Sequence, residues 1–284
     1  MEIQSPAKIN LYLAVTGRRP DGYHTLNTLM CCIGLADTIR LTFDQKKISV
    51  RCNYPDVPAD DANLAVRAAR RFSEITGIDA GVHIDIEKRI PLGAGLGGGS
   101  SNAAAVLNAM NAFHGFPVSR ETLLSVGKSI GADVPFFIDG KPAVATGIGD
   151  ILTPCPCLEA LPVLLIYPSV SISTADVYKN LNLTLTKTKK IHTKNLFKWN
   201  RGPDAFRELF NDLEPVASAM CPEIQKAKSC LLRHDAMGAV MTGSGSAVFG
   251  LYGTIDDAQK AYTAIAGNIY GNRMWQVHLT HLVP

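Results

Sequence analysis

A glycine-rich run in the first half of the chain constrains its fold more than any other segment. Residues 91–105 read PLGAGLGGGSSNAAA, and five of the seven positions from Gly93 to Gly99 are glycine. A glycine held in one conformation costs about 0.5–1 kcal/mol relative to alanine, so this density indicates a backbone that a ligand approaches closely. The run is predicted to open a helix, because the apolar residues after it recur at helical spacing: Val106, Ala109, Met110 and Phe113.

The same run has the chemistry of an anion site. Backbone N–H groups beside a glycine can reach a phosphate without a Cβ clash, and the start of a helix offers unpaired N–H groups and a positive dipole end. Ser100 and Ser101 add hydroxyl groups at the predicted helix start. We therefore predict a polyphosphate site, and the alternative is a flexible linker that ends in a serine N-cap.

Two familiar phosphate motifs do not account for this run. Gly93, Gly95 and Gly98 match the dinucleotide pattern G-x-G-x-x-G. The strand before that pattern should be a continuous apolar run, whereas residues 82–87 alternate apolar and polar and are separated from the glycines by two basic residues and a proline. The pattern G-x-x-x-x-G-K-[ST] is absent. The predicted phosphate site must belong to a different fold.

The composition favours a small-molecule partner. The 284 residues carry 28 Lys+Arg and 25 Asp+Glu, a net charge of +3, so we expect neither a nucleic-acid nor a membrane partner. A chain of this length with 46% hydrophobic residues is predicted to form two domains, 1–153 and 154–284. No apolar run approaches the roughly 20 residues of a membrane helix, and no targeting segment is apparent, which predicts a cytoplasmic protein. The seven cysteines match no disulfide or zinc pattern and are interpreted as reduced.

The hydrophobic pattern predicts an α+β fold. Residues 7–13 alternate and predict a half-buried strand with Lys8 and Asn10 on one face, and a second such strand covers 82–86. Residues 187–198 hold five lysines and are interpreted as a solvated insertion. Further elements follow from capping and periodicity: helices at 61–75, 204–220, 222–234 and from Asp256, and a strand, turn and strand within 237–252.

Phosphoryl transfer would need a cation and an acid near the phosphate site. Lys8, on an apolar strand, and Asp133, within Gly131–Pro135, are the candidates. Each has an ordinary alternative, since a strand lysine commonly faces solvent and an aspartate after a glycine commonly belongs to a turn.

Two further segments could bind a ligand. Thr242–Ser246 is a second glycine-containing loop between apolar strands, which is either a donor loop or an ordinary hairpin turn. Asp21–His24 predicts a turn followed by an aromatic ring and an imidazole, a pair suited to stacking on a base. His278 and His281 are predicted to face opposite sides of one strand and so to form no metal pair.

Three of these segments, in their order along the chain, resemble the motifs of the GHMP small-molecule kinase superfamily: Pro6–Leu11, 91–103 and Thr242–Ser246. Companion segments resemble one member of that superfamily, whose substrate is a cytidine diphosphate compound: Asp21–His24, Gly131–Pro135 and Asn211–Pro215. The resemblance implies an ATP-binding N-terminal domain like ribosomal protein S5 domain 2, residues 1–153. It also implies a ferredoxin-like, substrate-side C-terminal domain, residues 154–284.

The resemblance also implies ATP-dependent phosphorylation of a small-molecule alcohol, with Mg²⁺. The sequence has no cluster of acidic residues that predicts a dedicated metal site, so we expect the nucleotide to carry Mg²⁺, with Ser100 or Ser101 as a further contact. By position, Asp133 matches the catalytic acid and Lys8 the lysine that supports it. The residues that match nucleotide contacts are Asn63, Lys88, Pro91, Gly93, Gly95, Leu96, Gly97, Gly98, Gly99, Ser100 and Ser101. The residues that match substrate contacts are Asn10, Tyr23, His24, Thr174, Tyr178, Gly243 and Gly245, with Tyr23 and Tyr178 expected to sandwich the base.

Two alternatives stay open at the level of sequence. The first is another GHMP kinase, of the homoserine or mevalonate type, or the related decarboxylase. Tyr23, His24 and Tyr178 argue against it, because they suit a cytosine ring. The second is a nucleotide-binding sensor that has lost catalysis, against which the retained Lys8 and Asp133 argue. A monomer and a homodimer are both compatible with the sequence.

Overall fold

The computed structural model describes residues 1–79, 81–155, 158–182, 209–266, 269–270 and 273–284. These residues belong to two compact units that interleave along the chain. The first unit consists of Met1–Ala7, Leu35–Ile90 and Gly97–Gly140, and the second of Lys8–Gly34, Pro91–Leu96 and Lys141–Pro284. The sequence predicts a boundary between an ATP-binding domain and a substrate-side domain at residues 153 and 154. That boundary stays a prediction.

Strands and helices are mixed throughout the chain. The strands are β1 (Glu2–Arg18), β2 (His24–Thr42), β3 (Ser49–Cys52), β4 (His83–Glu87), β5 (Ala143–Gly147), β6 (Ile151–Pro154), β7 (Pro162–Tyr167), β8 (Phe210–Asn211), β9 (Gly238–Met241), β10 (Val248–Leu251), β11 (Ile269–Tyr270), β12 (Arg273–Met274) and β13 (Gln276–Val283). The helices are α1 (Leu64–Thr76), α2 (Gly98–Phe113), α3 (Arg120–Ile130), α4 (Val134–Asp139), α5 (Thr174–Lys179), α6 (Glu214–Met220), α7 (Glu223–Arg233) and α8 (Ile255–Ile265).

The first unit packs helices α1 to α4 with a short sheet. Strand β4 pairs antiparallel with the end of β2, from Thr38↔Glu87 to Thr42↔His83, and parallel with β3. The predicted helix at 61–75 is confirmed as α1, which ends at Gly77 in the left-handed region with φ 68°. Fully buried side chains such as Phe72, Ile84 and Val106 form the core of this unit.

The second unit is built on an antiparallel sheet. Strand β7 pairs with both β10 and β13, β10 pairs with β9, and β13 continues to the first half of β2. Strand β8 lies parallel to β1, with Leu13 opposite Asn211. Helices α6, α7 and α8 supply buried residues to the core of this sheet, among them Ala217, Leu231 and Ala261. The predicted strand, turn and strand within 237–252 and the helices at 222–234 and from 256 are confirmed.

Three sequence expectations need correction or fall outside the described residues. The prediction of a half-buried strand at residues 7–13 is wrong, because residues 7–15 of β1 are buried on both faces. The polar residues Lys8 and Asn10 on this strand hydrogen-bond to each other. The helix predicted at 204–220 is observed only over Glu214–Met220, because Phe210 and Asn211 form β8. Residues 204–208 and the lysine-rich 187–198 lie outside the described residues.

The cysteines and the lengths of the helices can be read directly in the described residues. The six cysteines in the described ranges are free, and five of them are buried. Burial raises the pKa of Cys31 and Cys32 to about 12, so these thiols stay protonated and unreactive. Within the same ranges, every helix is too short or too polar to cross a membrane.

Candidate active site

The end of the glycine run, Gly97–Gly99, forms an uncapped helix start in the first unit. Helix α2 begins at Gly98, and its N-cap Gly97 lies in the left-handed region with φ 71° and offers no side-chain acceptor. Four other helices are capped by a side-chain oxygen, from Asn63, Ser119, Ser173 and Thr254. The first-turn N–H groups of α2 are therefore not satisfied by a side chain of the N-cap residue, and such a helix start suits an anion.

The two serines lie in the first turn of α2 rather than at its cap, which excludes the serine N-cap alternative. Ser101 is buried, and its Oγ accepts a 2.7 Å hydrogen bond from the Ser5 hydroxyl. Ser100 is half-buried. Of the two, Ser100 is thus the more accessible hydroxyl at this helix start.

A buried ion pair lies beneath the same helix start. The side chain of Lys88 is 3% exposed and that of Asp37 is 0% exposed, and the ammonium donates to Asp37 Oδ2. A Cβ placed on Gly98 would lie 3.0 Å from Lys88 Nζ, so the ammonium lies directly under the first residue of α2. The remaining donors to the Asp37 carboxylate are the N–H groups of Arg89 and Ile90 at 2.8 and 2.9 Å and Asn102 Nδ2 at 2.9 Å.

Asp37 therefore links the residues that precede the glycine run to helix α2, which follows the run. Arg89 and Ile90 precede the run, and Asn102 is in the second turn of α2. Asn102 also donates to Ser5 Oγ at 2.9 Å and accepts from Lys88 Nζ at 3.3 Å. This set of buried side chains holds the geometry of the helix start, because each polar atom is fixed by a hydrogen bond within a dry environment.

Asn63 and Asp133 are the other two predicted site residues of the first unit. Asn63 caps α1, accepting from Ala65 N at 2.9 Å and donating to the Pro58 carbonyl at 2.8 Å. Asp133 precedes α4, is half-buried, and makes no capping hydrogen bond to that helix. The Asp133 carboxylate is therefore not committed to the usual role of an aspartate at a helix start.

In the second unit, Lys8 is anchored by Asn10. Lys8 Nζ donates to Asn10 Oδ1 at 2.8 Å, and the two residues are 4% and 2% exposed. Asn10 Nδ2 donates to Thr28 Oγ1 at 2.8 Å. The ammonium of Lys8 is thus buried, and the hydrogen bond to Asn10 gives it a defined position.

The two glycine loops of this unit pack backbone against backbone. Gly95 has φ 80°, and a Cβ on it would lie 2.4 Å from the Thr242 carbonyl oxygen. Gly243 has φ 57°, and a Cβ there would lie 2.7 Å from the Gly95 carbonyl oxygen. Both positions require glycine for the backbone angle and for the close approach.

Replacing Gly95 by alanine is expected to cost more than the roughly 1–2 kcal/mol of a left-handed alanine, because the Thr242–Ser246 loop must also move. Gly115→Ala is the matched control, since Gly115 has a similar φ of 76° with nothing within 4 Å of an added Cβ. Urea unfolding and kcat would be measured for both variants. Equal losses of stability in the two variants, with normal kcat for Gly95→Ala, would show that the contact between the loops is unimportant.

Two of the predicted aromatic residues contact each other, and the sandwich of the base between Tyr23 and Tyr178 stays a prediction. His24 stacks on Tyr178, with ring centroids 5.0 Å apart and an interplanar angle of 26°, while Tyr23 is 64% exposed. Burial and the positive charge of Arg18 lower the pKa of His24, which favours a neutral ring at neutral pH. Thr174 Oγ1 lies 2.7 Å from Ser244 Oγ, so the start of α5 contacts the second glycine loop.

Several residues of these networks were not identified from the sequence. Asp37 was overlooked, and Asn102 and Asn211 were named only as parts of motifs. Asp37 does leave a signal, since it is the one acid between the apolar residues Ala36 and Ile39 of a buried strand and would need a partner there. Asn102 and Asn211 leave none, because an asparagine near a helix start or strand end is ordinary.

Comparison with known proteins defines the class. Residues 63–141 match the model of the GHMP kinases N terminal domain, and residues 196–271 match that of the GHMP kinases C terminal domain. The structure of a homoserine kinase from Cytophaga hutchinsonii has the same fold, with a TM-score of 0.72 and 20% identity, over 99% of this chain and 94% of that one. The predicted α+β class with two GHMP kinase domains is confirmed.

More similar relatives define the family within that class. A 4-diphosphocytidyl-2-C-methyl-D-erythritol kinase of Geobacter sp. (strain M21) is 42% identical over 276 residues, which is 97% of this chain and 96% of the relative. A crystal structure of 4-(cytidine 5'-diphospho)-2C-methyl-D-erythritol kinase matches with a TM-score of 0.83 and 34% identity, over 99% of both chains. This chain belongs to the family of 4-diphosphocytidyl-2-C-methyl-D-erythritol kinases, within the GHMP kinases.

Proposed function

We propose that this chain catalyses the ATP-dependent phosphorylation of the 2-hydroxyl of 4-diphosphocytidyl-2-C-methyl-D-erythritol, a step in making isoprenoid precursors without mevalonate. The observation that carries the proposal is the uncapped start of α2, where the N–H groups of Gly98, Gly99 and Ser100 can bind a polyphosphate. The names of the full-length relatives support the choice of substrate. The free, buried thiols fit a reducing compartment and support a cytoplasmic location.

In the proposed reaction, Asp133 accepts or orients the proton of the substrate hydroxyl. This role suits a half-buried carboxylate that makes no capping hydrogen bond to the helix it precedes. Lys8 steadies the negative charge on the γ-phosphoryl group during transfer, because its ammonium is buried and Asn10 Oδ1 holds it in a defined position.

The nucleotide is held mainly by backbone groups. Residues Pro91 to Ser101 are proposed to bind the triphosphate, with Ser100 as the accessible hydroxyl. Asn63 and Lys88 are proposed to contact the adenosine. Both side chains would do so while keeping their hydrogen bonds within the protein.

Magnesium would be carried by the nucleotide. The donors at the start of α2 are hydroxyl and backbone N–H groups, and no cluster of three acidic, histidine or cysteine side chains occurs in the ranges that the structure describes. The N–H groups suit the phosphate, and the Ser100 hydroxyl oxygen suits Mg²⁺, which takes oxygen ligands, keeps several waters and is bound together with phosphates by few protein ligands. Bound in this way, the ion would neutralise phosphate charge, with Ser100 as its protein ligand.

The cytidine is proposed to bind at the His24 and Tyr178 rings. Their stacked rings provide an aromatic surface, and a neutral His24 can hydrogen-bond the edge of a base. Tyr23, exposed on the preceding turn, is free to cover the other face. Thr174, Gly243 and Gly245 are proposed to contact the remainder of the substrate, and Asn10 to help hold it.

A substrate panel tests the proposal. The purified chain is expected to consume ATP with 4-diphosphocytidyl-2-C-methyl-D-erythritol and to show no turnover with homoserine or mevalonate. Phosphate would be located on the product by phosphorus NMR. Turnover of homoserine or mevalonate alone would assign another GHMP kinase activity, and ATP binding without turnover of any substrate would indicate a sensor.

A further inference from the structure

The second glycine loop is held by an asparagine that the proposed mechanism does not use. Asn211, on β8, is 4% exposed, and its Nδ2 donates to the carbonyl oxygens of Met241 and Gly243, both at 2.8 Å. Its Oδ1 accepts from Leu213 N at 2.9 Å, so the amide cannot rotate without losing three hydrogen bonds. Asn211 therefore holds the two carbonyl groups, of Met241 and Gly243, at the start of the second glycine loop.

Asn10 holds the same loop from its N–H side. Asn10 Oδ1 accepts from Gly243 N at 3.0 Å and from Thr242 Oγ1 at 3.3 Å. The same oxygen accepts from Lys8 Nζ at 2.8 Å. Gly243 is therefore bound at its N–H by one asparagine and at its carbonyl by another, and one of the two also anchors the ammonium of Lys8.

A glycine needs this external support because its backbone can adopt either sign of φ at little cost. Gly243 has φ 57°, so losing Asn211 would remove the support of its carbonyl and leave Asn10 to hold its N–H alone. Rotation of the Gly243 N–H would remove a donor from Asn10 Oδ1 and change the position at which that oxygen holds Lys8. The loop and the lysine are thus connected through one buried oxygen.

We propose that Asn211 is a positioning residue for Lys8, acting through Gly243 and Asn10. This inference rests on the proposed function only where it assigns a role in catalysis to Lys8. The arrangement of the four residues is independent of that role. Because a displacement of about 1 Å can lower a rate by about 100-fold, a residue that never contacts substrate can still determine kcat.

The sharpest test is Asn211→Asp, which has the same size and keeps an oxygen for the Leu213 N–H. It replaces both donors by a charged oxygen that faces two carbonyl groups. Asn211→Ala, which removes the donors without adding charge, serves if the aspartate variant does not fold. Asp212→Asn is the matched control, because Asp212 Oδ2 accepts from Val15 N at 2.7 Å and the asparagine retains an oxygen for that bond.

Three measurements would be made on folded protein. Hydrogen–deuterium exchange of residues 241–247 reports the loop, the rate of reductive methylation of Lys8 reports its anchor, and steady-state kinetics report function. We expect faster exchange, faster methylation and a kcat about 100-fold lower in the Asn211 variants, with an unchanged KM for ATP, and none of these changes in the control.

Exchange or methylation at the wild-type rate would overturn the inference, and so would an unchanged kcat in a variant whose loop exchanges faster. If Asn211 only stabilised the fold, its replacement would lower the free energy of unfolding. It would not lower kcat while leaving the KM for ATP unchanged. Exchange and methylation do not depend on turnover. A wild-type protein that fails the substrate panel would therefore refute the proposed function while these two measurements still decide the positioning of Lys8.

Discussion

Replacing Asp133 by asparagine is expected to lower kcat by about 100- to 10,000-fold, the range that a positioned acid or base contributes. Asparagine has the same shape but cannot take the hydroxyl proton. The dissociation constant for ATP should be unchanged, because the proposed phosphate donors are backbone groups of residues 91–101. Steady-state kinetics and a calorimetric titration with ATP would measure the two quantities separately.

Asp139→Asn is the matched control for this prediction. Asp139 lies at the end of the same short helix, α4, and pairs on the surface with Arg120, whose Nε donates at 2.8 Å. Its removal should leave kcat unchanged. Wild-type turnover in the Asp133 variant would remove this residue from the mechanism, whereas an equal loss in both variants would point to the integrity of α4 instead.

Replacing Asp37 by asparagine is expected to destabilise the protein by about 3–5 kcal/mol, because it leaves the buried ammonium of Lys88 without its counterion. Lys88→Met should cost less, since the Asp37 carboxylate keeps donors from two backbone N–H groups and from Asn102. The double variant should be more stable than Asp37→Asn alone, because it leaves no unpaired buried charge. Urea unfolding of the three variants would give the free energies.

A surface pair provides the comparison for these variants. Arg120 and Asp139 also form an ion pair, but the Arg120 side chain is 59% exposed. Arg120→Met should therefore cost no more than about 1 kcal/mol. If Asp37→Asn proves as mild as Arg120→Met, the pair beneath α2 contributes little, and Lys88 becomes available for the adenosine contact predicted from the sequence.

Most elements could be predicted from the sequence because they have local signals. Helix α1 has both an asparagine N-cap and a glycine stop, and α2 follows its glycine run at regular helical spacing. Strand β1 was wrongly predicted as half-buried, since alternation of side chains cannot show that Lys8 and Asn10 bind each other and the Thr242 loop. Strand β8 was missed because two residues are too few to produce a pattern.

The candidate site also has parts that the sequence predicts and parts that it does not. The phosphate-binding run and the candidates Lys8 and Asp133 were identified from residue type and order along the chain. The hydrogen bonds that support this site were not, because Asp37 and Lys88 are 51 positions apart and Asn10 and Gly243 are 233 positions apart. Contacts between such distant residues depend on how strands and helices pack, which no short window of sequence contains.

Taken alone, the amino-acid sequence determined the backbone chemistry of the chain: where glycines remove side chains, where a helix must begin, and which family shares that order of motifs. Only the tertiary structure decided which polar groups are satisfied, namely that one buried oxygen of Asn10 accepts from Lys8, Thr242 and Gly243, and that the Asp37 carboxylate accepts four donors. The physical reason is that local conformation follows from neighbouring residues, whereas the stability of a buried polar group depends on partners that folding brings from far along the chain.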